Sequence, residues 1–371
     1  MTDLLLSVVD EVGSPVYVYD LAEVRTNQRR LRAALPHGAG VYYALSANPH
    51  PELLREIRAG GALPAVRSPG ELDMALVAGW SAEEILYTGP ARRSADLDWA
   101  LWLGVRNFTV DSPAGLVQLA ERATVHQREV DCLLRVNAGA LPSTGADPEQ
   151  VLAEPADFAG RAGARVNGLH VCVTEESHVD DAAALAGRLA SALARHGVRA
   201  GKVNLSGCPA PRFAGLVHGR SGAFEVGPDL VGSAGLLLTA VLDVRRTGSR
   251  QLVVLESGAG HVGGFDGPRR RGLVPRLVSR SPSGELVETV LTGPQETPVD
   301  VWTTPVRLPP LREGDLMAVP GLGAWGPTAG LVGFASPAVP VEVVVDRDDP
   351  DPGIVHVSRL SVTRYPEDGG V

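Results

Sequence analysis

Chemistry that needs a primary amine has a single candidate in this chain. Lys202 is the one lysine among 34 basic residues, and the other 33 are arginine. Thiol chemistry has three candidates, Cys132, Cys172 and Cys208. Three cysteines make no disulfide framework, and a reducing, cytoplasmic setting is expected. Cys172 and Cys208 fall at the ends of strand-like runs near His170, a thiolate–imidazole set that could hold a metal. No metal-type spacing supports that, and buried cysteines are commonly inert small hydrophobes, so no metal is expected. Acidic residues outnumber basic ones by 43 to 34 and no basic cluster is long, which argues against a nucleic-acid partner. No apolar run is long enough to span a bilayer, and no export signal is visible, so no membrane partner is expected.

The elements that must position such groups follow from periodicity. Strand-like runs occur at Val41–Ser46, Ala62–Val66, Glu84–Thr88, Arg106–Val110, Val130–Val136, Val166–Val173, Lys202–Leu205 and Ala223–Val226. Segments with apolar residues at helical spacing separate most of them: Pro51–Arg58, Gly70–Ala78, Ala95–Leu103, Ala114–Ala123 and Asp180–His196. Ser68-Pro69, Ser94 and Asp111-Ser112-Pro113 are helix-start signals. Eight alternating strands predict a closed parallel (β/α)₈ barrel with its functional groups at the carboxyl ends of the strands. After about Leu236, Val/Leu/Thr-rich runs alternate with Gly/Pro/Ser turns, the pattern of an antiparallel β domain. The expected divisions are residues 1–25, an N-terminal strand joining the β domain; 26–235, the barrel; and 236–371, the C-terminal β domain. With 44% hydrophobic residues the chain can bury a sizeable core. Scarce lysine beside abundant Ala, Gly, Val and Pro fits a GC-rich bacterial genome.

Nine segments, in order from Ser14 to Gly326, carry a family resemblance: SPVYVYD, VYYALSANPHPELL, VRSPGEL, ILYTGPAR, LLRVN, GLHVCV, FEVGPDLVGSAG, GPQETPVD and GAWG. Together they resemble the fold-type III pyridoxal-phosphate (PLP) decarboxylases of the diaminopimelate and ornithine type. The resemblance implies an alanine-racemase-like PLP-binding barrel with a C-terminal β domain. It also implies a head-to-tail homodimer with shared active sites and a small-molecule substrate.

The departures from the family pattern bear on function. The family lysine that holds PLP as a Schiff base matches Ser46, which cannot form an imine. Lys202 starts a strand and so belongs near the opposite end of the barrel. The phosphate-binding arginine matches Pro228, the serine after the second histidine matches Glu175, and the glycine-rich loop matches Ser206-Gly207-Cys208 followed by Pro209. The phosphate-binding tyrosine matches Trp325, the ring-stacking histidine Cys172, and the partner's catalytic cysteine Glu296. Glu225 matches the glutamate that pairs with the pyridinium nitrogen. Arg135, Ser68 and Glu71 also match family positions. Each charge-assisted hydrogen bond is worth roughly 1.5–3 kcal/mol. Losing two or three from the phosphate, with a like charge added, costs on the order of 5 kcal/mol. The expectation is therefore no cofactor, with PLP noncovalent at best through Glu225, Gly207 and Trp325.

That expectation gives a PLP-independent enzyme of specialised bacterial metabolism, acting on a small amine or amino-acid-like metabolite. Its catalytic residues would come from Glu175, Glu225, Glu296, Ser46 and Cys172. Crowded carboxylates at one mouth would make an acidic pocket and raise one another's pKa. The alternative for Glu175 and Glu296 is a solvated face. Arg135, His170, Trp325, Ser68, Glu71 and His261 are the candidate substrate-binding residues. Ser46 is a nucleophile or a tolerated small residue; His50 is nearby, but no histidine is paired with it by pattern. His170 is structural by default. Trp325 is a stacking face or filler, and His261 lines the shared site or caps a loop. A non-catalytic partner of an active paralogue, and decarboxylase-type chemistry with noncovalent PLP, stay open.

Overall fold

The computed structural model describes residues 2–138, 145–173, 179–207, 221–263, 273–295, 300–302, 305–332 and 338–362. They fall into two compact units, residues 25–230 and residues 1–24 with 231–371. Strand β1 (Val16–Asp20) belongs to the second unit. The first unit is a closed barrel of β2 (Gly40–Ala44), β3 (Leu63–Val66), β4 (Leu86–Tyr87), β5 (Asn107–Val110), β6 (Val130–Asn137), β7 (Ala164–Cys172), β8 (Lys202–Ser206) and β9 (Ser221–Val226). All neighbours are parallel, and β9 closes on β2 with Tyr42 opposite Glu225. These are the eight strands expected from the sequence, shifted by a few residues at most.

Helices Pro51–Ala59, Pro69–Val77, Ser94–Leu103, Pro113–Val125 and Val179–Ala194 alternate with the strands. Local chemistry explains where they begin. The Ser68 and Ser112 hydroxyls accept from the backbone N–H three residues on, with proline at the first helical position. Such caps are worth about 1 kcal/mol each. Ser94 lies inside its helix, and Arg93 precedes it without a side-chain cap.

The second unit is a nine-stranded sheet. Its strands are β1, β10 (Gly235–Thr247), β11 (Arg250–Leu255), β12 (Arg276–Leu277), β13 (Val287–Thr292), β14 (Val306–Leu308), β15 (Leu316–Pro320), β16 (Val341–Asp346) and β17 (Gly353–Arg359). The order is β14-β13-β11-β10-β1-β16-β17, with β15 pairing β10 and β12. It is mostly antiparallel; β1–β16 and β11–β13 run parallel. Helix Thr2–Val12, absent from the sequence expectations, buries Leu5 and Val8 against Val16, Val18, Leu238, Leu316 and Val343. No helix among the described residues is long and apolar enough to cross a membrane.

Candidate active site

Parallel register brings one set of polar residues to the carboxyl ends of β7, β8 and β9. His170 stands opposite Asn204, Cys172 opposite Ser206, and Ser206 opposite Glu225. Strand side chains alternate between faces, so these residues, two apart on each strand, share one face. They are hydrogen-bonded together. The Asn204 amide lies 3.3 Å from His170 Nδ1, His170 Nε2 lies 2.9 Å from Ser206 Oγ, and the Ser206 hydroxyl donates to Cys172 Sγ at 3.2 Å. Glu225 is buried beside them, with Oε2 3.8 Å from His170 Nε2.

The ends of the other strands add charge. Arg67, after β3, places Nη2 3.2 Å from Glu225 Oε1. Arg92, after β4, donates from Nη2 to the carbonyls of Tyr87 (3.0 Å) and Thr109 (2.9 Å), and its guanidinium sits 5.3 Å from the Tyr87 ring centre. Burial pushes Arg92 down to about 10, which leaves it cationic at neutral pH. Arg135 on β6 grips Asp111 bidentately, Nε to Oδ1 at 3.0 Å and Nη2 to Oδ2 at 2.5 Å, with both side chains buried.

Several candidate residues prove to be supports. Ser68 caps a helix, and Glu71 accepts the Arg67 backbone N–H at 2.8 Å across the same turn. Burial raises the Glu71 carboxyl above its ordinary range, although the Arg67 N–H and charge oppose this. His50 Nδ1 accepts the Glu52 N–H, so it caps the helix after Ser46. His50 Nδ1 is thereby engaged at the helix start. The Cys172 thiol is pushed up to about 11 by burial, despite help from Ser206 and Arg135, so it is no thiolate catalyst. His261 lies in the second unit. Its Nδ1 accepts the Gly258 N–H and its Nε2 lies 3.0 Å from the Ala338 carbonyl, so it caps a loop. Trp325, also in that unit, is half-buried at φ 52°, a left-handed conformation unusual for an aromatic residue. Its carbonyl lies 1.8 Å from where a Cβ on Gly263 would stand, which explains that glycine. Glu175, Cys208 and Glu296 lie outside the described residues.

Among the described residues at the mouth, Arg67, Arg92 and Arg135 stand with Glu71, Asp111 and Glu225; Glu175 and Glu296, on which the expected acidic pocket rests, lie outside them. Arg67 and Arg92 were missed although both lie within the quoted motifs. Asn204 and Ser206 were also missed as partners of His170; only register reveals them.

His170 is 1% exposed, and burial lowers its pKa from 6.5 to about 4, against the pull of Glu225. The unfolded chain takes up this proton near 6.5 and the folded chain only near 4. Stability is therefore whole above 6.5 and falls as pH drops between those values, by about 3 kcal/mol in all. Urea midpoints of wild type and His170→Gln, compared at neutral pH and about pH 4.5, check this. The variant is expected to lose less, and equal losses would remove His170 as the cause.

The site fits a pyridine ring better than a covalent anchor. Glu225 Oε2 is buried without a hydrogen-bond partner, as a ring nitrogen's acceptor would be. Gly207, at the end of β8, has φ 96°, and a Cβ there would meet the Val173 carbonyl at 2.4 Å. Only glycine keeps the backbone this close at the point where the expected phosphate loop begins. Ser46 sits in a turn (Leu45–Ala47) after β2 and offers no amine. Lys202 opens β8, half-exposed, with Nζ 3.6 Å from Asp131. Asp131 lines a depression of about 490 Å³ with Glu83, Arg106, Asn107 and Arg165, at the opposite end of the barrel.

Residues 21–147 match the family described as pyridoxal-dependent decarboxylase, pyridoxal binding domain. The chain is 30% identical to the diaminopimelate decarboxylase of Deinococcus radiodurans, with 90% of each chain covered. It is 24% identical to that of Zymomonas mobilis over 92% of this chain and 90% of the other. The fold is similar to the lysine/ornithine decarboxylase of Vibrio vulnificus complexed with putrescine, with TM-score 0.80, 23% identity, and 94% and 98% of the chains covered. The matched pyridoxal-binding domain and the decarboxylase relatives overturn the expectation of no cofactor. That expectation rested on the serine at the lysine position and on the altered phosphate end, and left Glu225 a noncovalent role at best.

Proposed function

Because the chain belongs to the fold-type III pyridoxal-phosphate-dependent decarboxylase family, we propose that it binds PLP without a lysine tether and acts on a small amino-acid-like metabolite. The orphaned, buried Glu225 Oε2 carries this reading. The absence of an amine at residue 46 sets it apart from a tethered enzyme. Diaminopimelate decarboxylase relatives support an amino-acid substrate.

When bound, PLP supplies an electron-withdrawing ring beside the substrate's amino-bearing carbon. Glu225 would hold the ring nitrogen through Oε2, with Oε1 engaged by Arg67. Gly207 would admit the phosphate end close to backbone. The Arg135–Asp111 pair keeps the mouth rigid, and Ser46 leaves the substrate's amine as the only amine there. A homodimer is part of the same proposal, and native mass tests it. A second reading, a non-catalytic partner of an active paralogue, draws on the same missing lysine.

Titration of the purified chain with PLP, followed by absorbance, tests the proposal. Saturable binding of one equivalent per chain is expected. Glu225→Gln should weaken it about 10- to 100-fold, the equivalent of one charge-assisted hydrogen bond. Absence of saturable binding in the wild type would discard the proposal. Binding without turnover of any amino acid, with a homologue in native complexes, would favour the partner reading.

A further inference from the structure

We infer that the outer face of the barrel carries a docking surface for a basic protein segment, whose arginine stacks on Trp102 and reaches Asp73. Trp99 and Trp102 lie one turn apart on helix Ser94–Leu103, with ring centres 5.0 Å apart and planes within 19° of parallel. Trp99 is 41% exposed and Trp102 64%. Trp80 and Trp302, by contrast, are buried, and their indole N–H groups donate to the carbonyls of Ala62 and Ser257. Among the described residues the Trp102 N–H meets no acceptor. The barrel strands are all parallel, so the helices that connect them run parallel to one another. The Trp99 indole N–H donates to Asp73 on the neighbouring helix Pro69–Val77 at 3.3 Å. One turn further along the two helices stand Trp102 and Val77, the latter 61% exposed.

Exposed tryptophans grouped with an aliphatic side chain mark a protein contact, because tryptophan contributes more to such contacts than most residues. Charge selects the partner. The Asp73 carboxylate is exposed and meets no cation among the described residues; its partner is the Trp99 N–H. Asp98, one residue before Trp99, is already held by Arg122 and His126. The surface thus presents aromatic faces beside one uncompensated carboxylate. The chain as a whole carries a formal charge of −9, which steers basic partners toward it. A guanidinium suits both features. Its planar face stacks on an indole, and its N–H groups fork onto a carboxylate. A lysine ammonium is a point charge and provides neither the flat stack nor the fork. The two helices flank the barrel on its outside, so the surface is separate from the Glu225 mouth and does not depend on PLP binding.

The probe is a nine-residue peptide of alternating arginine and alanine, titrated into the protein and followed by tryptophan fluorescence. Lysine and citrulline versions of the peptide are the controls. Saturable binding of the arginine peptide is expected, and added salt should weaken it. Trp102→Ala and Asp73→Asn should each weaken it about three- to tenfold. Both side chains are exposed, so neither substitution should unfold the chain. The citrulline peptide has the same shape without the charge and should bind at least about tenfold more weakly, with the lysine peptide in between. No saturable binding to the wild type, an affinity that neither substitution lowers, or equal affinity for the lysine peptide would overturn the proposal. So would a native mass that rises with concentration in the wild type but not in Trp102→Ala, since a second copy of the chain would then cover this face.

Discussion

Ser46→Lys is expected to turn a freely exchanging cofactor into one that stays on the chain. The wild type, incubated with PLP and borohydride, should show no mass increase at residue 46. The variant should gain the cofactor's mass there, and peptide mapping reads the position directly. The geometry supports this. Ser46 lies half-buried in the turn after β2, and β2 pairs with β9 so that Tyr42 stands opposite Glu225. Just past Glu225, Gly227 packs so closely on this turn that a Cβ there would come 3.1 Å from the Ala47 Cβ. A lysine at residue 46 therefore starts beside the strand that carries Glu225, the proposed acceptor for the ring. Tethering makes rebinding intramolecular, so dialysis should remove the cofactor at least about tenfold more slowly. Lys202→Arg should leave the labelling of residue 46 unchanged in both proteins, since Lys202 opens β8 and pairs with Asp131.

The second large effect concerns stability. Asp111→Ala is expected to cost about 3–5 kcal/mol, because it leaves the buried Arg135 cation without its bidentate partner. Both side chains are less than one-tenth exposed, at 7% and 9%, so solvent cannot replace the lost carboxylate. For a unit of this size the melting temperature should drop on the order of 10 °C. Combining Asp111→Ala with Arg135→Leu removes the orphaned charge and should recover most of the loss. Calorimetry of the four proteins closes the cycle. A single-variant loss below about 1 kcal/mol would mean the pair is not desolvated as its burial indicates.

The barrel was readable from the chain because its signals are local. Apolar periodicity, Ser-Pro helix starts and eight short β-rich runs each depend on neighbours within a few residues. The nine ordered motifs placed Ser46 and Glu225, and the lysine count restricted any amine to Lys202. Helix Thr2–Val12 was missed because Leu5 and Val8 find their partners only on a sheet built from residues far along the chain.

The character of the site was not readable. Counting acidic replacements pointed to Glu225 but not to its partner Arg67, which reaches it from more than a hundred residues away in sequence. Cys172 and His170 look like a thiolate–imidazolium pair by residue type, but burial keeps the thiol protonated and the imidazole neutral at neutral pH. Their desolvation is set by the closed barrel around them, which no single segment encodes. The sequence alone determined the fold, the serine at residue 46 and the choice of Glu225 as the proposed acceptor for the ring. Only the tertiary structure decided the partners and burial of that glutamate, because parallel register and burial are properties of strands brought together from distant parts of the chain.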